Sequence, residues 1–127
     1  MISVVIPTLD EEESLPAAIR SCREAGECEV IVADGGSADG TAEVARRLAD
    51  RGVAAPRGRA LQMTAGAGTA GGDILLFLHA DTLLPPCGLD AAVHALRDRR
   101  VAGGAFRVAL LPSRGAGIYA RAMLSLT

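Results

Sequence analysis

The sequence predicts an α/β protein with three layers, in which helices cover both faces of a mostly parallel sheet. Three short runs support this prediction: Ile2–Ile6, Glu29–Ala33 and Ile74–Leu78. Each run is apolar at nearly every position, which is typical of strands buried on both faces of a parallel sheet. Stretches with helical periodicity separate the runs. With 127 residues and 50% hydrophobic content, we expect residues 1–127 to form one domain.

The first strand and helix have clear boundary signals. Ile2–Ile6 is rich in β-branched residues, and we expect Pro7 to end it. Ser14 can cap a helix that begins at Leu15, because a serine oxygen can accept a hydrogen bond from a free backbone N–H there. Helical spacing places four apolar side chains on the inner face of this helix: Leu15, Ala18, Ile19 and Cys22.

Weaker signals mark the middle of the chain. After the strand at 29–33, Asp39 can cap a second helix. The inner side of this helix is predicted to carry Val44, Ala45 and Leu48. A weak strand near Val53 and a third helix at 59–67 follow.

The last elements begin with the strand Ile74–Leu78. A fourth helix is predicted from Leu89 to Arg97 and a further strand from Ala105 to Leu111. From Ala116 onward we expect another helix.

Polar residues follow each of the three clear strands. Thr8 to Glu11 follow the first, Asp34 to Ser37 the second, and His79 to Asp81 the third. Ligands of open α/β sheets bind outside the carboxyl ends of the strands. Since parallel strands end at one edge, the sequence predicts a ligand site there.

Each acidic residue also has a purely structural interpretation. Asp34 and Asp39 could belong to a turn and a helix cap, and Asp81 could cap the turn before Pro85 and Pro86. For Asp39 we favour the cap. Asp34 leaves a buried strand directly, and the glycines after it allow a ligand close to the backbone. For Asp81 we favour a metal role, because carboxylates and substrate phosphates together hold Mg²⁺ or Mn²⁺.

Other site types are excluded. Gly66 to Gly71 fit G-x-G-x-x-G, but a helix precedes them and a strand follows, the reverse of a dinucleotide site. A net charge of −2 argues against a nucleic-acid partner. The three cysteines lack metal or disulfide spacing, and there is no signal peptide or membrane-length apolar run. We therefore expect a cytoplasmic protein, with the surface of the inner membrane as the alternative location.

Four blocks of this sequence together resemble family 2 glycosyltransferases. They are "SVVIPTLDEEESL", "EVIVADGGSADGT", "GRALQMTAGAGTAGGDILLFLHADTLLPP" and "AGGAFRV". They are most similar to the bacterial branch whose metal motif reads H-A-D-T. The resemblance implies the nucleotide-diphospho-sugar transferase (Rossmann-like) fold. It also implies inverting transfer of a sugar, such as a hexose, from a nucleotide-diphosphate donor to an acceptor that is a sugar or lipid-linked.

The resemblance also implies which residues bind the donor. Asp34 matches the first acid of the family's D-D-G-S block, which contacts the nucleoside, whereas Gly35 replaces the second acid. Arg57 and Arg59 lie where the family places residues near the nucleotide. The first nucleotide-contacting loop is matched by Pro7, Thr8, Leu9, Asp10 and Glu11.

The metal block is similar to the family's D-x-D pattern. Asp81 matches its last acid and is the implied ligand of Mg²⁺ or Mn²⁺. His79 replaces the first acid, and Ala80 lies between them as part of the substrate-binding segment.

The catalytic base of this family is an acid in a later block. After Gly104 this chain has no Asp or Glu. We therefore expect a C-terminally truncated fold without the acceptor-side half, which binds donor but transfers little sugar. We also expect a homo-oligomer that hides apolar surface near Phe106 and Ile118, with Ala105 to Leu126 at the contact.

Two other functions stay open at this stage. A sugar nucleotidyltransferase would need a basic, glycine-rich first loop, and "PTLDEEESLP" is acidic. A non-catalytic domain that binds a nucleotide sugar is consistent with the absent base.

Overall fold

A computed structural model describes the backbone of residues 1–112 and 118–124 and the side chains through Arg107. Its main sheet has four parallel strands in the order β3-β2-β1-β4. These strands are β1 (Ile2–Thr8), β2 (Cys28–Asp34), β3 (Arg51–Ala54) and β4 (Ile74–Phe77). The helices are α1 (Leu15–Ala25), α2 (Thr41–Leu48), α3 (Arg59–Gly68) and α4 (Gly88–Leu96). None of the helices in the described ranges combines the length and apolarity that a bilayer crossing requires.

Helices cover both faces of the main sheet. Side chains of α1, α2 and α4 pack with Val4, Ile6 and Val30 in the larger core. On the opposite face, α3 packs against β1 and β2 over a smaller core that includes Val5 and Ile31. The predicted three-layer α/β class is therefore confirmed.

A second sheet is built from strands that follow β4 in the sequence. It has the order β5-β7-β6, with β5 (Thr82–Leu83), β6 (Phe106–Pro112) and β7 (Ile118–Leu124). The prediction of a helix from Ala116 onward is wrong for 118–124, because that segment pairs antiparallel with β6 and parallel with β5. Pairing on both sides outweighs the helical preference of its alanine, leucine and methionine residues.

The first strand is longer than predicted, since Pro7 does not end it. Pro7 lies opposite Ala33 in the ladder with β2, and β1 continues to Thr8. The ladder on the other side, with β4, stops at Val5 and Phe77. At Pro7, β1 therefore has a neighbouring strand on the β2 side only. Proline is tolerated at such an edge position, where one side of the strand is not paired.

Not every apolar position is buried. Leu48 was predicted to face inward and is instead 39% exposed at the end of α2. In β4, Ile74 and Leu76 pack against the larger core, whereas Leu75 and Phe77 are about half exposed on the α3 face. Helix α3 lies mainly over β1 and β2, so in the described part of the chain the expected cover on both faces is incomplete at Leu75 and Phe77 of β4.

The predicted apolar surface near Phe106 and Ile118 is described only at Phe106. Phe106 is half-buried against the larger core, and the side chain of Ile118 lies outside the described residues. Self-association of the chain stays a prediction.

The G-x-G-x-x-G segment serves packing. Gly66 lies on the inner face of α3, where an added Cβ would be 2.4 Å from Cγ1 of Val5. The segment ends α3 and leads into β4, as its order in the sequence indicates. This glycine brings the helix close to the sheet and has no phosphate-binding geometry.

Candidate functional site

A cleft of about 580 Å³ opens at the carboxyl ends of β1 and β4. Three segments build it: the end of β1, the start of α3 and the loop after β4. The residues that line it are Pro7, Thr8, Leu9, Glu11, Arg57, Gly58, Arg59, Gln62, His79, Ala80, Asp81 and Thr82.

The structure brings nearly all of the predicted site residues together. Apart from Asp10 and Asp34, each of them lines this cleft. Asp34 stands directly behind the lining, because its Oδ1 accepts a hydrogen bond from the Thr8 hydroxyl at 2.9 Å. The roles assigned to these residues stay predictions, but their proximity across more than 70 positions of sequence follows from the parallel sheet.

Three lining residues were missed by the sequence analysis: Gly58, Gln62, and Thr82, which follows Asp81 directly. Gln62 is a buried residue of α3, and Gly58 is the residue directly before that helix. A polar residue on the inner face of a predicted helix was the available signal for Gln62.

The Asp34 carboxylate is held entirely within the protein. Oδ2 accepts from the backbone N–H groups of Gly36 at 3.2 Å and Ser37 at 2.9 Å, and Oδ1 accepts from the hydroxyls of Ser37 and Thr8. Partial burial acts to raise the pKa of Asp34, but these hydrogen bonds outweigh it and hold the pKa below its usual value. Asp34 therefore fixes the loop behind the cleft as an ionised carboxylate.

The loops after β1 and β2 hold each other. Asp10 has a positive φ of 53°, and its Oδ1 accepts from the backbone N–H groups of Ala38 at 2.7 Å and Asp39 at 3.3 Å. In return, the Asp10 N–H donates to Ser37 Oγ at 2.9 Å and the Glu11 N–H to Thr41 Oγ1 at 2.8 Å. Reciprocal bonds of this kind fix Glu11 at the mouth of the cleft.

Of the two predicted helix caps, Ser14 is at the N-cap of α1 as expected but lacks the cap bond, and Asp39 lies one residue early. Ser14 makes no cap bond, and its hydroxyl donates to Glu11 Oε2 at 2.9 Å. Asp39 lies one residue before the N-cap Gly40, and its Oδ1 accepts from the Thr41 N–H at 2.9 Å. Asp39 thus stabilises the start of α2, in agreement with its structural interpretation.

The Asp81 carboxylate is exposed and nearly free. Its one hydrogen bond within the described residues comes from the neighbouring Thr82 hydroxyl at 3.3 Å. The loop itself is ordered by the Thr82 N–H, which donates to the His79 carbonyl at 3.0 Å, and by the Leu84 N–H, which donates to Ser21 Oγ at 3.0 Å. The backbone is therefore fixed while the carboxylate stays available to a ligand.

Arg57 and Arg59 give the cleft positive charge. Both are exposed, and neither guanidinium has a hydrogen bond or ion pair among the described residues. Guanidinium groups match the geometry of phosphate oxygens, so this wall of the cleft suits an anionic ligand.

The donor set of the cleft fits a metal that is bound together with a phosphate ligand. The described residues contain no cluster of three His, Cys, Asp or Glu that could hold a metal alone. Asp81 offers a free carboxylate, and hard cations such as Mg²⁺ commonly use one or two carboxylates, with substrate phosphates and water as the other ligands. Asp81 is the residue that would hold such an ion.

Comparison with known proteins gives matches along most of the chain. The sequence profile of glycosyl transferase family 2 matches residues 3–114. The undecaprenyl-phosphate 4-deoxy-4-formamido-L-arabinose transferase of Proteus mirabilis is 39% identical over 98 residues, which cover 67% of this chain and 30% of that enzyme. The enzyme of the same name from Aeromonas hydrophila is 37% identical over 108 residues, covering 75% and 33%. The chain thus spans about a third of these relatives.

Solved structures give matches of the same kind. Mycobacterium tuberculosis glucosyl-3-phosphoglycerate synthase, in complex with Mn²⁺, uridine-diphosphate and phosphoglyceric acid, is 26% identical with a TM-score of 0.65. That match covers 85% of this chain and 41% of the synthase. Staphylococcus aureus TarS matches 91% of this chain and 23% of its own with a TM-score of 0.64 at 18% identity, a likeness of fold alone.

Proposed function

The chain belongs to glycosyl transferase family 2, and from this membership we propose that it is the donor-binding portion of an inverting, nucleotide-sugar-dependent glycosyltransferase. The nucleotide-diphospho-sugar transferase fold predicted from the sequence is confirmed by its structural neighbours. We treat residues 1–127 as one nucleotide-sugar-binding domain.

One observation carries this proposal: the cleft combines arginines that have no partner among the described residues with an exposed carboxylate, at one edge of the sheet. Arg57 and Arg59 stand on one wall, and Asp81 stands on the loop after β4. A nucleotide diphosphate has complementary chemistry, since its phosphate oxygens can accept from guanidinium and share a metal with a carboxylate. The synthase from M. tuberculosis, which shares this fold, has uridine-diphosphate and Mn²⁺ in its structure, which makes UDP the first nucleotide to test.

Asp81 is the proposed ligand of Mg²⁺ or Mn²⁺, and the Mn²⁺ in the structure of the same relative makes Mn²⁺ the first ion to test. When bound, a divalent ion would neutralise charge on the leaving diphosphate. The protein supplies a fixed backbone through the Thr82–His79 and Leu84–Ser21 hydrogen bonds and leaves the Asp81 oxygens open.

The nucleoside end of the donor is proposed to lie at the β1 and β2 ends. Pro7, Thr8, Leu9 and Glu11 line the cleft there, and Asp34 holds Thr8 from behind. With its oxygens already bonded to Thr8, Gly36 and Ser37, Asp34 contributes chiefly by fixing this wall.

A lipid-linked phosphate is the proposed acceptor. Several relatives are named undecaprenyl-phosphate transferases, and an acceptor of this type would place the protein at the surface of the inner membrane. A phosphate acceptor is already ionised at neutral pH and needs no base. For a hydroxyl acceptor such as a sugar, the base that removes its proton is proposed to lie outside these 127 residues, since no Asp or Glu follows Gly104.

Ligand-induced thermal stabilisation tests the proposal. The 127-residue chain is heated with UDP, GDP, CDP or dTDP, each with and without Mn²⁺. A ligand that binds the native state raises the apparent midpoint, by an amount equivalent to about 2.7 kcal/mol at a hundredfold excess over Kd. We expect UDP with Mn²⁺ to give the largest shift. No shift with any nucleotide diphosphate would contradict the proposal.

A further inference from the structure

The carboxamide of Gln62 joins two of the segments that build the cleft to the end of β2 beside them. Its side chain is 5% exposed. Nε2 donates to the carbonyl oxygens of Thr8 at 2.7 Å and Ala33 at 3.0 Å, and Oε1 accepts from the Gly58 N–H at 3.1 Å. Carbonyl oxygens only accept, so the amide orientation is determined by its neighbours. One side chain thus connects the ends of β1 and β2 to the start of α3.

Gly35 lies directly against this carboxamide. A Cβ added at Gly35 would be 2.7 Å from Oε1 and 2.8 Å from Cδ of Gln62, closer than side chains tolerate. The Gly35 N–H also donates to the Thr8 carbonyl at 3.0 Å, beside the bond from Gln62. Position 35 can therefore hold a larger residue only if Gln62 moves.

We propose that Gln62 is a positioning residue of the nucleotide cleft and that Gly35 is its required partner. Gly58, whose N–H is held by Gln62, lies between the two cleft arginines, Arg57 and Arg59. Loss of the Gln62 bonds would release this segment from Thr8 on β1. The pair thereby sets the placement of the guanidiniums relative to the β1 wall. This inference deepens the proposed function and rests on it.

A purely structural role would have a different signature. If Gln62 only stabilises the fold, its loss lowers the unfolding temperature and leaves the relative affinities of folded protein for different nucleotides unchanged. If Gln62 positions the arginines, its loss weakens the binding of UDP more than the binding of UMP. UDP has an additional phosphate group that the arginines can contact. The ratio of the UMP and UDP dissociation constants therefore separates the two roles.

The main variant is Gln62→Met, which keeps length and volume and removes all three hydrogen bonds. Binding of UDP and UMP with Mn²⁺ is measured by calorimetry below the unfolding temperature of every variant. We expect UDP to bind about tenfold more weakly to Gln62→Met than to the unmodified chain. UMP should be affected less, so the ratio of the UMP and UDP dissociation constants should fall. Gln62→Glu should recover affinity relative to Gln62→Met as pH falls, since a protonated carboxyl can again donate to a carbonyl oxygen.

The Gly35 partner is tested by a double-mutant cycle in binding and in thermal stability. Gly35→Ala should displace the carboxamide and reproduce the Gln62→Met defect, and the double variant should be no worse than either single one. Gly68→Ala is the control for the glycine substitution. Gly68 lies in α3, the helix that carries Gln62, and an added Cβ there meets no atom within 4 Å. Additive effects would overturn the pairing.

The two proposals fail in different ways. If the unmodified chain binds UDP and Gln62→Met keeps its preference over UMP, the positioning role is wrong and the proposed function stands. If the unmodified chain binds neither nucleotide, the proposed function is wrong and the positioning role falls with it.

Discussion

Two aspartates at the same edge of the sheet have opposite surroundings. Asp34 ends β2, and its oxygens accept from the hydroxyls of Thr8 and Ser37 and from the N–H groups of Gly36 and Ser37. Asp81 follows β4, and the hydrogen bond it has within the described residues comes from its own neighbour Thr82. The first carboxylate is used by the protein, and the second is available to a ligand.

The difference comes from the residues that follow each acid. After Asp34 the chain turns back through Gly36, which has a φ of 91°, so that its N–H groups point at the carboxylate. After Asp81 the turn is closed by a bond between backbone groups, from Thr82 to His79. An acid at a strand end therefore marks the site, while the following turn decides whether the acid serves the fold or the ligand.

The largest expected effect concerns catalysis, for which neither aspartate is suited. Asp34 is occupied by the protein and Asp81 by the proposed metal, so the chain should transfer sugar about 10²–10⁴-fold more slowly than a full-length relative that has its base. Transfer of labelled sugar from a UDP-sugar to a sugar acceptor with a free hydroxyl measures this rate, because a phosphate acceptor is already ionised and needs no base. Transfer at the rate of the full-length enzyme would mean that a residue of this cleft acts as the base.

Replacement of Asp34 tests the structural side of the comparison. Asp34→Ala should lower the free energy of unfolding by about 2 kcal/mol, because it leaves the hydroxyls of the buried Thr8 and the half-buried Ser37 without their charged acceptor. Urea denaturation at neutral pH provides the measurement. Asp39→Ala, which removes an acid from the same loop region, is a useful comparison, with a smaller expected loss because this side chain is less deeply buried than Asp34 and accepts from Thr41 at the start of α2. Equal stability of Asp34→Ala and the unmodified chain would contradict this assignment.

Asp81 should behave in the opposite way. Asp81→Ala should leave the free energy of unfolding within about 0.5 kcal/mol, as expected for an exposed side chain. It should remove the increase in UDP affinity that Mn²⁺ gives, a loss of at least about tenfold or 1.4 kcal/mol. Titration of UDP with and without Mn²⁺ checks this, and Asp90→Ala on the exposed side of α4 serves as the control. Unchanged Mn²⁺ dependence in Asp81→Ala would exclude the metal role.

The smallest effect is the pH dependence that Asp34 contributes. Its pKa is lower in the folded protein than in the unfolded chain, so its stabilisation is present above the unfolded pKa of about 3.9 and is lost as pH falls through the folded pKa. Unfolding midpoints of the unmodified chain and Asp34→Asn should therefore differ at pH 7 and converge toward pH 3. A difference that stays constant over this range would show that the charge of Asp34 does not matter.

Much of the fold and the location of the site could be predicted from the sequence. Buried strands separated by amphipathic helices indicate a parallel sheet, and parallel strands place their following loops at one edge, as Thr8 and Asp81 illustrate. Strand ends and caps were less predictable: Pro7 is tolerated because β4 stops short, and residues 118–124 form a strand because of pairing partners distant in sequence.

The interior of the site could not be predicted in the same way. Periodicity indicates which face of α3 is inward, but not that Gln62 would reach two carbonyl oxygens on neighbouring strands. Likewise, the exposure of Leu75 and Phe77 depends on where α3 lies across the sheet. Such features are determined by the relative placement of elements, which local sequence does not encode.

The cleft is built entirely from the segment between Pro7 and Thr82, and this has a consequence for biosynthesis. The ribosome adds about 5–20 residues per second, and N-terminal units fold first. The four-stranded sheet is complete at Phe77, so the cleft can form while later residues are still being translated. A nucleotide sugar that binds the cleft at that point would stabilise the folded part of the nascent chain by mass action. The proposed donor would then assist folding before any sugar is transferred.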